Sequence, residues 1–310
     1  MNLFHSIDTY CSTKKTIATI GTFDGVHIGH QQILNKLILS AKNEGCESLI
    51  LTFFPHPKMV LQNHSDIKLL NTIDERIELL SNTDLDHLII HPFNNEFAML
   101  SAEDFVKNIL VDKLNIHKII IGYDHHFGRN RTANINDLIV FGKKYNFEVE
   151  QISVQEIQKV SVSSTKIRTA IENGNIELAN EYLGYSYFFE GIVQKGKQIG
   201  RTIGFPTANI KVKENYKLIP KNGVYIVKSF INNLTVFGMM NIGTNPTVNG
   251  NNQSIEVHFI DFDGDLYNQN IRITVLKHLR EEQKFDSIEL LKNQLEKDKQ
   301  TTLSFFKNSI

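Results

Sequence analysis

The chain has only two cysteines, Cys11 and Cys46, and they do not form a Cys-x-x-Cys pair. This excludes a disulfide scaffold and the common structural zinc modules, and suits a reducing compartment. No stretch approaches the roughly 18 apolar residues that span a bilayer. The N-terminal MNLFHSIDTYCSTKK also lacks the unbroken apolar core of a secretion signal, so a cytoplasmic protein without a membrane partner is expected. Neither sign of charge dominates. Lys plus Arg number 33 against 34 Asp plus Glu, and a net charge of -1 creates no global field for nucleic acid. Internal repeats and low-complexity linkers are absent as well.

What is present is ordinary globular material. Hydrophobic residues at 41% and charged residues at 22% are enough to build a core and argue against disorder. The 310 residues favour two domains at about 100 to 200 residues each. In the first half, strand-like runs alternate with helical patterns: TIATIG (16–21), SLILTFF (48–54), HLIIHPF (87–93) and KIIIGY (118–123), with apolar helical spacing at 33–38, 73–80 and 102–114. That order predicts a doubly wound α/β domain with a parallel sheet, TIATIG being its first strand.

From about Phe188 the texture changes. GVYIVKSFI and SIEVHFIDF are separated by NN, NG and DG turn signals without intervening helices, which predicts an antiparallel barrel or sandwich. A C-terminal helix should close it, opened by a capping box from Asp286 to Glu289, with Ile288, Leu291 and Leu295 on its apolar face. The domain junction is placed near Gly184, giving domains 1–184 and 185–310.

Two groups of residues in the first half carry chemistry. GTFDGVHIGH (21–30) lies where the first strand turns into the first helix, the phosphate-binding position of open α/β sheets. Gly21, Gly25 and Gly29 allow close backbone approach, and His27 and His30, three apart, present both imidazoles to one volume. Two donors aimed at one phosphate would stabilise the charge that builds as it becomes five-coordinate. Half of a metal site and two exposed histidines are the competing readings, though no carboxylate triad or further cysteine completes a metal set. SVSSTKIRTAI (161–171) puts Ser164 and Thr165 at the start of an amphipathic run with Arg168 one turn on, either an anion site or an ordinary N-cap. Asp24, before a glycine, is equally well explained by turn chemistry.

In the second half, Gly191, Gly196 and Lys197 imitate a P-loop. Gln198 replaces the required hydroxyl, and Gly200, Gly204 and Pro206 interrupt the helix that should follow, so a P-loop is rejected. PTAN (206–209) sets Thr207 and Asn209 on one side of an extended chain, where two neutral oxygens can complete a magnesium shell when ATP supplies the charge, or mark a turn. In SIEVHFIDF, Glu256 and His258 face away from Ile255, Val257 and Phe259; Glu256 is a candidate proton acceptor or a solvent-facing strand residue. DFDGD (261–265) has its glycine too early for an EF-hand and reads as a hairpin turn.

GTFDGVHIGHQ, TFFPHP (52–57), GYDHHFGRNR (122–131) and SSTKIR resemble the FMN adenylyltransferase module of the HxGH nucleotidyltransferase superfamily. GKQIGRTIGFPTAN, NGVY (222–225), NIGTNPT (241–247), EVHFIDFDGDLY and LREEQKFDS resemble the riboflavin kinase family throughout 185–310. The two together are similar to the prokaryotic bifunctional riboflavin kinase/FAD synthetases. In the 122–134 loop the sequence departs from the pattern, with His126 where arginine is frequent and Ala133 where glycine is expected. The resemblance implies that riboflavin is phosphorylated by ATP to FMN and FMN is adenylylated by a second ATP to FAD, with Mg2+ as cofactor and small molecules as the partners. It implies ATP contacts at Gly21, Phe23, Asp24, Gly29, Asp124, Ser164, Thr165 and Arg168, with His27 and His30 at the phosphates. In the barrel it implies Mg-ATP at Thr207 and Asn209, a loop shaped by Gly196 and Gly204, Glu256 as base, and Arg280 near the flavin. Competing functions are an HxGH enzyme with another acceptor joined to an unrelated barrel, and a flavin carrier without turnover; the kinase-like half and the phosphate-activating residues argue against each.

Overall fold

The computed structural model describes residues 1–61, 67–122, 126–152, 162–196, 198–247 and 250–307. They form two compact units, Met1–Ser163 and Ser164–Ile310.

The first unit is built on six strands: β1 (Asn2–Phe4), β2 (Thr16–Ile20), β3 (Glu47–Phe53), β4 (His87–His91), β5 (Ile116–Ile121) and β6 (Glu148–Gln151). They pair in the order β1-β4-β3-β2-β5-β6, every pairing parallel. Parallel strands covered on both faces must be apolar almost throughout, and ESLILTF and IHKIII are. Neighbouring residues serve opposite faces: Ala18, Leu49 and Ile119 enter one core cluster, while Ile17, Ile50 and Ile120 enter the other. From β2 the chain steps outward to β3 and β4, then returns to β5 on the other side of β2. The order reverses between β2 and β5, and in such sheets ligands bind outside the carboxyl ends of the strands at that reversal.

Three details differ from the expected order. β1 precedes TIATIG; three residues are too few to show a period, and Asn2–Phe4 is recognisable only through its pairing with His87–Ile89. The helix expected over 102–114 is an α-turn, Ala102–Asp104, followed by a π-helix, Phe105–Val111. The wider turn buries Phe105, Val106, Ile109 and Leu110 together. The helix Ile135–Tyr145 and β6 form an additional unit that the sequence reading did not include.

The second unit begins with helices Ser164–Glu172 and Ile176–Leu183. The expected junction at Gly184 is the left-handed C-cap of the second helix, φ +78°. Both helices therefore precede it in sequence yet lie in the compact unit of the barrel. Asn180 is one tie: its amide donates to the Val275 carbonyl (3.0 Å) and accepts from the Tyr187 N–H (2.7 Å).

Strands β7 (Phe188–Gln194), β8 (Ala208–Lys211), β9 (Gly223–Ile231), β10 (Leu234–Thr247), β11 (Gly250–Phe259) and β12 (Asn270–Arg280) close into an antiparallel barrel in the order β10-β11-β8-β7-β12-β9. Closure leaves no edge strand and selects the barrel over the sandwich. The helix Ile288–Lys307 packs Leu295 and Leu303 against a cluster of Phe205, Met239 and Ile260. Its start is held by Ser287, whose Oγ accepts from Leu290 N–H (3.2 Å), rather than by the expected box from Asp286, and Ile288 is 66% exposed. DFDGD is not a hairpin turn. β11 and β12 are not neighbours, so the segment after Phe259 is a crossover between separated strands.

Candidate active sites

The turn after β2 is held from below by Asp24. Its carboxylate is completely buried and accepts from Leu70 N–H (2.9 and 3.2 Å) and Asn71 N–H (3.2 Å), with the buried Arg76 guanidinium 3.9 Å away. Phe23 (φ +49°), Gly25 (+92°) and Val26 (+37°) all take left-handed backbone conformations. A β-branched residue seldom does so, and such strain concentrates at functional turns.

The turn delivers two histidines side by side. His27 precedes the helix Ile28–Glu44 and caps it, its Nδ1 accepting from His30 N–H at 3.3 Å. An Nδ1 that accepts leaves the proton on Nε2, so His27 points an N–H donor away from its own helix. The two rings stack with centroids 3.7 Å apart and 18° between planes, and the Phe23 ring lies 4.9 Å from His30. Burial, then the neighbouring His27 and Arg76, push the His30 imidazole well below its ordinary value of 6.5. Among the described residues its Nδ1 is buried without a hydrogen-bond partner. Two glycines leave close clearance beside these rings. A Cβ on Gly21 would meet the Phe23 ring at 3.1 Å, and one on Gly29 would meet the His27 ring at 3.2 Å.

Ser164 and Thr165 open the helix Ser164–Glu172, and Arg168 follows one turn later; Ile167, Ala170 and Ile171 are its buried face. All three candidate residues are in the second compact unit. Asp124 lies outside the described residues.

In the barrel, β8 lies between β7 and β11, with Asn209 in register with Gln194 on one side and Glu256 on the other. Thr207 Oγ1 donates to Glu256 Oε2 at 3.1 Å. The residue just before β8 thus meets a residue of β11, a pairing that sequence spacing could not relate. A Cβ on Gly196 would overlap the Asn209 amide, and Gly204 needs its left-handed φ of +85°. His258, two residues beyond Glu256, donates from Nδ1 to the Pro206 carbonyl (2.8 Å), and burial lowers its pKa.

Thr207 lines two cavities. One, of about 640 Å³, is walled by Arg201, Pro206, Val257 and the crossover residues Phe262 to Tyr267. The other, of about 420 Å³, contains Glu256, Asn241, Arg280 and Glu282 on its polar side and Phe205, Met239, Phe285 and Leu291 on its apolar side. Arg280 therefore does line a cavity with Glu256, but its guanidinium is gripped by Asp298 through Nε (3.0 and 3.1 Å) and Nη2 (2.8 Å). Nη1 donates to the Glu281 carbonyl (3.1 Å), and Gln294 donates to Asp298 (2.8 Å). The sequence does not single out Asp298, which comes from the C-terminal helix, remote from the motif it completes; the crossover wall overlaps DFDGD, expected only as a hairpin turn.

Among the described residues no group of three or more His, Cys, Asp or Glu could hold a metal. A hydroxyl and an amide beside one carboxylate do suit magnesium, which keeps waters and binds chiefly through substrate phosphates. The clearance at Gly196, which leaves room for the Asn209 amide, is consistent with that fit.

Residues 10–166 match the FAD synthetase family model and residues 183–306 the riboflavin kinase model. A bifunctional riboflavin kinase/FMN adenylyltransferase of Listeria monocytogenes is 39% identical over 98% of this chain and 97% of its own length. The Bacillus subtilis protein of the same description is 36% identical, covering 95% and 93%. A crystal structure described as a macrolide-efflux protein from Streptococcus pneumoniae superposes with a TM-score of 0.88 at 30% identity, over 97% of this chain and 98% of that one. Among the described residues no helix is long and apolar enough to cross a membrane. With both halves matched in order and relatives aligned end to end, the chain belongs to the bifunctional riboflavin kinase/FMN adenylyltransferase family.

Proposed function

We propose that this chain phosphorylates riboflavin to FMN in the barrel and adenylylates FMN to FAD at the HxGH turn, consuming one ATP in each step. The observation that carries the kinase half is Thr207: it lines both barrel cavities, and its hydroxyl is bonded to Glu256. In this reading the larger cavity takes the nucleotide and the smaller one, with its apolar wall, takes the flavin. Glu256 accepts the proton of the terminal ribityl hydroxyl, whose oxygen attacks the γ-phosphorus while ADP leaves. Thr207 and Asn209 hold the magnesium that enters with ATP, which supplies neutralisation of phosphate charge. Gly196 and Gly204 shape the nucleotide loop. Arg280, clamped by Asp298, fixes the wall of the flavin cavity.

In the first unit, a phosphate oxygen of FMN attacks the α-phosphorus of ATP and pyrophosphate leaves. His27 donates from Nε2, and His30, held neutral, offers a second polar contact to the charge that develops. Gly21 and Gly29 make room for Phe23 and His27, and Asp24 acts by fixing the turn. Asp124, Ser164, Thr165 and Arg168 are assigned to the nucleotide on sequence resemblance. No protein nucleophile is required in either step, so catalysis rests on positioning and charge. By sequence resemblance the proposed functional regions are 1–184 for adenylylation and 185–310 for the kinase, although the compact units part at Ser163/Ser164; the proposed location is the cytoplasm, in keeping with two unpaired cysteines.

Purified protein incubated with riboflavin and Mg-ATP, followed by separation of the flavins, tests the reading. FMN followed by FAD is expected. Absence of both products would overturn it, and FAD formed only from supplied FMN would remove the kinase half.

A further inference from the structure

We infer that His258 is a positioning residue of the kinase site, tying down Pro206 so that the adjoining Thr207 hydroxyl meets Glu256. The inference rests on the kinase reading and adds to it a residue outside the proposed ligand set.

Glu256 and His258 are two apart on β11 and so project from the same face. They reach consecutive residues of one segment: Glu256 Oε2 takes the Thr207 hydroxyl at 3.1 Å, and His258 Nδ1 lies 2.8 Å from the Pro206 carbonyl. A carbonyl only accepts, so Nδ1 carries the hydrogen and the donor is fixed. The segment needs such a tie. Pro206 has no backbone N–H, and the β8–β11 register runs through Asn209↔Glu256 and Ala208↔Val257 without reaching residues 206 and 207. His258 is itself held, only 9% exposed, with the Phe205 ring edge-on at a centroid distance of 5.1 Å. A displacement of Thr207 by about 1 Å can cost on the order of a hundredfold in a reaction that depends on positioning.

Asparagine and glutamine separate the roles of the two ring nitrogens, because the amide of Asn falls near Nδ1 and that of Gln near Nε2. His258→Asn, His258→Gln and His258→Leu are to be compared in the full chain. Three measurements apply: kcat and KM for FMN formation, adenylylation of supplied FMN as an internal control of folding, and amide hydrogen exchange of a peptide covering 205–211 without ligands. Gln and Leu should lower kcat of FMN formation tenfold or more, raise the Mg2+ concentration needed for half-maximal rate, and speed exchange in that peptide. Asn should restore both rate and protection to within about threefold, with adenylylation unchanged in all three. Equal behaviour of Asn and Gln, or a Leu variant with unaltered kcat and exchange, would overturn the inference. A wild-type protein that forms no FMN would overturn the kinase reading instead, and the exchange comparison would still report whether the tie exists.

Discussion

Glu256→Gln isolates proton acceptance in the kinase half. Gln has nearly the same shape as Glu, and its amide oxygen can still accept the 3.1 Å hydrogen bond from Thr207. The register of β11 with Asn209 and Asn241 depends on backbone bonds and is untouched. What disappears is the basic oxygen. General-base catalysis contributes about 10² to 10⁴ in rate, which at about 1.36 kcal/mol per decade is roughly 2.7 to 5.4 kcal/mol of barrel-site transition-state stabilisation. FMN formation from riboflavin and Mg-ATP, followed by chromatographic separation of flavins, should therefore fall at least a hundredfold in kcat. The KM for riboflavin should change by less than about threefold, and FAD formation from supplied FMN should continue, since that chemistry is assigned to the other unit. Retention of more than about a tenth of wild-type kcat in a folded variant would refute the role of Glu256 as base.

The adenylylation half makes the converse prediction: His27→Ala and His30→Ala should each reduce FAD formation about a hundredfold, the scale for losing one transition-state donor, while FMN formation persists. A parallel loss of both activities would contradict separate sites. Asp24→Asn should cost about 3 to 5 kcal/mol in urea unfolding of the first unit, the range for breaking a buried charged pair, because it removes the charge facing Arg76. A cost below about 1 kcal/mol would dismiss its holding role. His30 also has a pH signature. Above its ordinary value of 6.5 the imidazole is neutral in both folded and unfolded chains; below 6.5 the unfolded chain takes up a proton that the folded one refuses. Stability should then fall with pH by up to about 1.36 kcal/mol per unit until the depressed folded value is reached, and His30→Gln should lose this slope. Equal slopes for wild type and variant below 6.5 would refute the neutral assignment.

The strands of the first unit were readable because burial on both faces demands unbroken apolar runs, and TIATI, ESLILTF and IHKIII supply them. The π-helix was not, since Phe105, Val106, Ile109 and Leu110 also fall at the i, i+1, i+4, i+5 spacing of an α-helix face, and the i→i+5 bonding is set by packing. DFDGD was misread as a hairpin because turn chemistry reports a change of direction and not the identity of the next neighbour. Asp24 illustrates the same gap within the site: the sequence placed it in the turn, while its partners at Leu70, Asn71 and Arg76 come from a distant connection.

The two-part organisation, the glycine-rich turn bearing His27 and His30, and the family are legible in the chain alone, because motif spacing and periodicity are local properties. Folding in three dimensions is what closes the barrel, brings Thr207 to Glu256 between two cavities, clamps Arg280 with Asp298 and sets His258 against Pro206. The three side-chain contacts join residues 18 to 52 positions apart. Strand order and side-chain burial set such contacts, and neither is written in the spacing of residues along one strand.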